Sequence, residues 1–214
     1  MSTVRIPSKQ RFVLDGQSWN DYTRWLKLFE ERSHVRITYD RGVLEVVTLT
    51  FEHERALRIL RLLIDVWAEE RNVVMRGGGS TTFRRRDAQR GLEPDECYWI
   101  ANEARVRGLT RIDLRRDPPP DLVIEIDVTH SSVPRLPVYA ALRVPEVWRL
   151  RGAALSFNFL QADGSYVAGP MSEALPPLRP RDLITLLALA DQLDDMAVAR
   201  RFRAWVRKLP PLTP

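Results

Sequence analysis

Lysine is almost missing from this sequence. Of 33 basic side chains, only Lys9, Lys27 and Lys208 are lysines; all the others are arginines. Any chemistry housed in the middle of the chain must therefore do without a primary amine, the basic side chain that can give up its proton. Cysteine is nearly as scarce. Cys97 stands alone, which excludes an internal disulfide and fits a reducing cytoplasm. One cysteine and three histidines at these spacings do not make a zinc site. Long apolar runs are absent too. The best, Leu183 to Ala190, falls far short of the roughly 20 residues a membrane span needs. Residues 1–12 are polar and basic and carry no signal-peptide core.

What is present describes a folded chain. Hydrophobic residues make up 44% of 214, enough for one good core and short for two, so residues 1–214 are expected to form a single domain. No repeat or linker divides them. The net charge of +5 leans towards polyanions such as nucleic acid, but only moderately.

The apolar spacing predicts alternating helices and strands. Ser18, with Asp21 three residues on, reads as a capped start of a helix running to Arg32. Val35–Tyr39 and Val43–Leu49 read as strands around an Asp40-Arg41-Gly42 turn. A long amphipathic helix is expected over Glu52–Arg71. Val73–Met75 and Thr81–Arg84 read as short strands interrupted by Gly77-Gly78-Gly79-Ser80. That run lacks the Gly-Lys-Ser/Thr ending of a phosphate loop and reads as a tight corner. Arg84–Arg90 reads as a charged loop. Strands are then expected at Pro94–Ala101, Asp121–Val128, Glu146–Leu150 and Leu155–Leu160, with a short helix at Leu136–Leu142 and two helices after Arg181.

The Asp121–Val128 strand concentrates the chemistry. Leu122, Ile124, Ile126 and Val128 share one face, which must be core; Glu125 and Asp127 share the other. Two carboxylates on one face of a central strand need compensation, because unpaired buried charge is costly. A divalent cation is one solution and an arginine is another. Upstream, Pro94 fixes the chain just before Asp95 opens its own strand, so Asp95 is placed to meet Glu125. Magnesium takes one or two protein carboxylates and completes its shell with water and phosphate oxygens.

These residues, in this order, resemble the PD-(D/E)XK nuclease core, and more closely the Uma-two family of restriction endonucleases. The matching stretches are Tyr39 to Glu45 followed by His53, Leu92 to Asp95, Pro119 to Glu125, and Tyr139-Ala140 with Val144 to Trp148. The similarity spans roughly residues 35–180, followed by a helical extension over about 181–209. It implies an α/β fold with a restriction-endonuclease-like core: a mixed central sheet flanked by helices, an N-terminal helix and hairpin, and C-terminal helices. It also implies a magnesium- or manganese-dependent hydrolase of DNA phosphodiesters, in which water activated by the cation attacks phosphorus. Carried over, Asp95 and Glu125 are the metal ligands, joined by the Ile126 carbonyl, and Asp127 is a further ligand through water. Where relatives place a lysine four residues before the tyrosine, this chain has Arg135, which takes the catalytic position as a fixed charge. Arg84 is a second candidate for that role, and His53 an accessory residue.

The same residues allow a plainer reading. Glu125 and Asp127 could pair with arginines, and the fold could serve as an inactive DNA-binding or protein-interaction module. By analogy with the fold, a homodimer is one assembly open to it, since cutting both strands asks for two sites. The basic C-terminal helix around Phe202, Trp205 and Val206 is expected to pack on its own domain.

Overall fold

The structure, a computed structural model, describes residues 10–32, 34–127 and 133–212. Strand β1 (Arg11–Leu14) leads to helix α1 (Trp19–Leu28) and a hairpin of β2 (Val35–Asp40) and β3 (Val43–Thr48). Helix α2 (Phe51–Arg71) is followed by short strands β4 (Arg76–Gly77), β5 (Phe83–Arg85), β6 (Arg90–Leu92) and β7 (Glu96–Trp99). Then come α3 (Glu103–Val106), β8 (Leu122–Asp127), α4 (Arg135–Leu142), β9 (Glu146–Arg151), β10 (Ala154–Leu160) and β11 (Tyr166–Gly169). Helices α5 (Pro180–Leu189) and α6 (Asp195–Val206) complete the order. Val128, expected on the core face of the acidic strand, lies outside the described residues.

Local chemistry accounts for the element ends. The Asp21 amide donates to Ser18 Oγ at 3.2 Å and the Ser18 amide donates back to the Asp21 carboxylate at 3.0 Å, a complete capping box for α1. The β2–β3 turn places Arg41 and Gly42 at φ 45° and 98°, the left-handed pair that matches strand twist. Pro137 sits in the first turn of α4, where a missing N–H costs nothing.

The strands form two sheets. One runs β1-β3-β2-β6-β5; the other runs β11-β10-β9-β8-β7-β4. The second is mixed, because β8 and β9 are parallel with α4 as their crossover. Only three residues, Glu93-Pro94-Asp95, separate β6 in the first sheet from β7 in the second. This is the α/β architecture that the sequence led us to expect.

Strand β8 is covered on both faces. Leu122, Ile124 and Ile126 pack in the cluster containing Leu60, Leu63, Ile64 and Trp67 of α2 and Phe202 of α6. Val123, on the opposite face, packs with Val138, Tyr139 and Leu142 of α4. A third cluster joins Tyr22 of α1 to Ile37, Tyr39, Leu44 and Val46. The basic C-terminal helix lies on α2 as expected: Phe202 and Val206 are buried, while Arg203 and Arg207 donate to Glu70.

Three expectations need correction. Val73–Met75 is not a strand; pairing with β7 begins only at Arg76, opposite Trp99, while Val73 and Met75 serve as core side chains. The loop expected over Arg84–Arg90 is shorter: 86–89 form the turn of a hairpin, while Arg84 and Arg85 belong to β5 and Arg90 to β6. The short edge strands β1 and β11 and the one-turn helix α3 were not foreseen. The glycine run is a corner, and its reason is space. A Cβ on Gly78 would lie 2.6 Å from Trp99 Cζ3 and 2.8 Å from Cys97 Sγ.

Candidate active site

The β7–β8 register pairs Glu96 with Ile124, Cys97 with Val123 and Tyr98 with Leu122. One step further along the same antiparallel register, Asp95 stands opposite Glu125, and facing residues in such a pair project from one side. The Ile126 amide donates to Asp95 Oδ2 at 2.8 Å across this junction. The two acids, far apart in sequence, therefore meet where the chain enters β7 beside β8. Both are almost completely buried, at 3% and 1% exposure.

Each acid has its own surroundings. Asp95 Oδ2 also lies 2.9 Å from His53 Nε2, which α2 delivers from its first turn, while Oδ1 is 3.8 Å from Arg36 Nε on β2. Burial pushes the Asp95 carboxyl up, but the hydrogen bond and charge of His53, with Arg135 and the Ile126 amide, hold it below the usual aspartate value. Glu125 faces α4. Arg135 and Tyr139, one helical turn apart, present guanidinium and phenol together, since i and i+4 share a face. The Tyr139 hydroxyl donates to Glu125 Oε1, and Arg135 Nη2 lies 3.0 Å from the same oxygen. Burial nevertheless pushes the Glu125 carboxyl up to about 8, against the pull of Arg135.

Asp127 is held differently. Arg149 donates to its Oδ2 at 2.5 Å and Arg151 at 3.1 Å, both from the neighbouring β9. Arg135 also donates to the Glu93 carbonyl at 2.5 Å, which ties α4 to the crossing between the sheets. Its Nε is buried without a hydrogen-bond acceptor among the described residues. Arg84 stays apart: it is exposed on β5, does not line the cavity, and its charge acts on Tyr22.

A cavity of about 30 Å³ lies between these groups. Asp95, Glu125, Asp127, Arg135 and His53 line it from one sheet and its helices, and Arg11, Arg36 and Glu45 from the other sheet. The sequence reading missed these last three, and missed Tyr139 as a partner of Glu125. Alternation along the hairpin was the available signal. Ile37, Tyr39, Leu44 and Val46 fill the apolar cluster under α1, which leaves Arg36, Thr38 and Glu45 on the reverse face.

The donor set suits a hard cation of the magnesium type. Among the described residues no group of three or more His, Cys, Asp or Glu side chains is arranged to hold a metal. What converges is a carboxylate pair beside a space large enough for one or two water-sized occupants, and magnesium binds in just such partly hydrated sites. The Arg135 Nε–H is a buried donor without an acceptor among the described residues, on a residue that lines this cavity. No described helix is long and apolar enough to cross a membrane.

No curated protein matches the chain. A crystal structure of a "putative nuclease belonging to DUF820" from Anabaena variabilis is similar over 71% of this chain and 90% of that one, at 14% identity and a TM-score of 0.46. The model of the Uma2 family, described as "Putative restriction endonuclease", matches residues 19–192, a stretch that contains Asp95, Glu125 and Arg135. The chain belongs to the Uma2 family of restriction-endonuclease-like proteins.

Proposed function

We propose that this protein is a metal-dependent endodeoxyribonuclease in which Asp95 and Glu125 hold one magnesium or manganese ion. The observation that carries the reading is the opposition of those two buried carboxylates across β7 and β8, beside a shared cavity. The bound cation would supply charge neutralisation at the phosphate and a more acidic water. Everything else falls to the chain. His53 and the Ile126 amide fix the orientation of Asp95. Tyr139 does the same for Glu125. Arg135, with one N–H to spare, meets a phosphate oxygen as a permanent charge, standing where relatives carry lysine. Asp127, neutralised by Arg149 and Arg151, contributes at most through water. DNA is the substrate because family membership makes it the expected polyanion. Two copies acting together would supply the two sites that cutting both strands asks for.

One observation favours a second reading, an inactive nuclease fold that binds DNA or protein. Glu125 Oε1 already accepts from Tyr139 and contacts Arg135, so an arginine partly satisfies the acid that would otherwise need a metal.

Nicking of supercoiled plasmid by purified protein separates the two. Cleavage with magnesium or manganese, abolished by Asp95→Ala and by Glu125→Ala, is expected. Salt-sensitive DNA binding without cleavage under any divalent cation would give the case to the second reading.

A further inference from the structure

Strand β7 has a second face. Cys97 and Trp99 pack with α4, whereas Tyr98 packs with α2 on the opposite side of the sheet. Glu96 shares that side, because side chains alternate along a strand. A cavity of about 370 Å³ opens there, between α2 and the edge strand β4. Arg61 and Asp65 line it from α2, Glu96 and Tyr98 from β7, and Met75 and Gly77 from the chain entering and forming β4. Its volume is within the range of small-molecule sites.

Two of its polar groups have no partner. The Tyr98 side chain is 3% exposed, yet its hydroxyl makes no hydrogen bond among the described residues. Its ring lies beneath Gly77, where a Cβ would come 3.5 Å from Cε1. The strongest charges on the phenol are those of Glu96, Asp65 and Arg61, all set around the cavity, so the hydroxyl is aimed into it. A buried phenol ordinarily finds a partner. Asp65 also has neither a hydrogen bond nor an ion pair among the described residues, and partial burial holds its carboxyl above the usual aspartate value.

The other two charges are already matched. Arg61 donates to Glu96 Oε2 at 2.5 Å and to the Asp95 carbonyl at 3.2 Å, and Glu96 Oε1 accepts the Cys97 amide at 2.9 Å. One arginine against two acids leaves the lining with one negative charge over. Arg61 on Glu96 opposes a doubly charged ion, while an aromatic ring and a thioether suit an organic cation.

We propose that this cavity binds a small organic cation, an alkylammonium or alkylguanidinium. Its N–H groups donate to Asp65 and to the Tyr98 oxygen, and its alkyl part lies on Met75 and the Tyr98 ring. The site stands independently of the nuclease reading, since it faces away from the paired acids and is assayed without cleavage.

The test is calorimetric titration with butylguanidinium and butylammonium chloride in low salt, with chelator present so that the acids across β7 hold no metal. At least one cation should bind with a Kd of about 1 mM or below, and neutral butanol at least about 10-fold more weakly. Asp65→Asn should weaken binding on the order of 10-fold, and Tyr98→Phe about 3–10-fold. Neither variant removes a partnered group, so both should fold. Gly77→Leu, which roofs the ring, should abolish binding. No binding of either cation, butanol bound as well as they are, or unchanged affinity in Asp65→Asn and Tyr98→Phe overturns the assignment. Sedimentation identifies the source of the cationic head. A protein whose oligomeric state ignores the ligand supports a free small molecule. Self-association that butylguanidinium reverses would put an arginine of a second copy in the cavity, and overturns the small-molecule assignment.

Discussion

Asp95 Oδ2 is a shared acceptor: the Ile126 amide reaches it at 2.8 Å from the adjoining strand and His53 Nε2 at 2.9 Å from the start of α2. One oxygen is thus pinned by two donors from different elements, and the carboxylate is oriented before any cation arrives. Such outer partners commonly govern metal affinity by about 10–100-fold. His53→Ala should weaken manganese binding by that order, measured by titration at pH 7, while circular dichroism stays native. Unchanged affinity would reduce His53 to a packing residue.

Glu125 makes a prediction about alkaline stability. Its carboxyl is pushed from the usual 4.5 up to about 8 by burial. Between those values the folded protein keeps a proton that the unfolded chain releases, so stability from this group is fully present at low pH and is lost as pH rises through about 8. Asp95, held below its usual value, runs the other way: its contribution is present above the ordinary aspartate range and is lost in acid. In chelator, the wild type should lose on the order of 2 kcal/mol, a few degrees of melting temperature, between pH 6 and 9. Glu125→Gln should flatten that fall. An equally steep decline in the variant would assign the effect to another group.

Arg135 is a buried cation between Glu125 and the Glu93 carbonyl. Truncation to alanine leaves buried acceptors on Glu125 and the Glu93 carbonyl without their donor and should cost about 1–3 kcal/mol in urea denaturation. Arg135→Lys keeps the charge and supplies the amine the chain lacks. It should fold and nick plasmid faster than the wild type; a slower enzyme would show that the two-pronged guanidinium is itself required.

Gly78 tests the corner that carries the chain past β7. An alanine there forces its Cβ against the Trp99 ring and the Cys97 sulfur, and neither has room to retreat inside the core. Gly78→Ala should destabilise by about 1–3 kcal/mol. Gly79→Ala meets no such contact and is strained only by its φ of 57°, so its cost should be the smaller of the two.

Much of this was legible in the sequence, and the reason is local. Ser18 with Asp21, the Arg41-Gly42 turn, the α2 stripe and Pro137 act within a few residues of themselves, and each was read correctly. The proximity of Asp95 and Glu125 was legible because Glu125 sits on β8 and Asp95 directly precedes β7, and those two strands pair. Glu45 and Arg36 were harder to see. Their importance comes from which face of the β2–β3 hairpin turns inward, and α1 decides that by covering the opposite one. Strands β5, β6 and β11 have at most four residues, too few to show a period, and arginines on β5 looked like solvated loop.

The link Glu93-Pro94-Asp95 has one more effect. It is the shortest path from one sheet to the other, and Asp95 is its last residue. The Ile126 amide holds the Asp95 carboxylate to β8, so the same residue that ends the link is also fastened to the strand carrying Glu125. Asp95 is thus the point at which the five-stranded sheet, the six-stranded sheet and the start of α2 are joined within one side chain's reach.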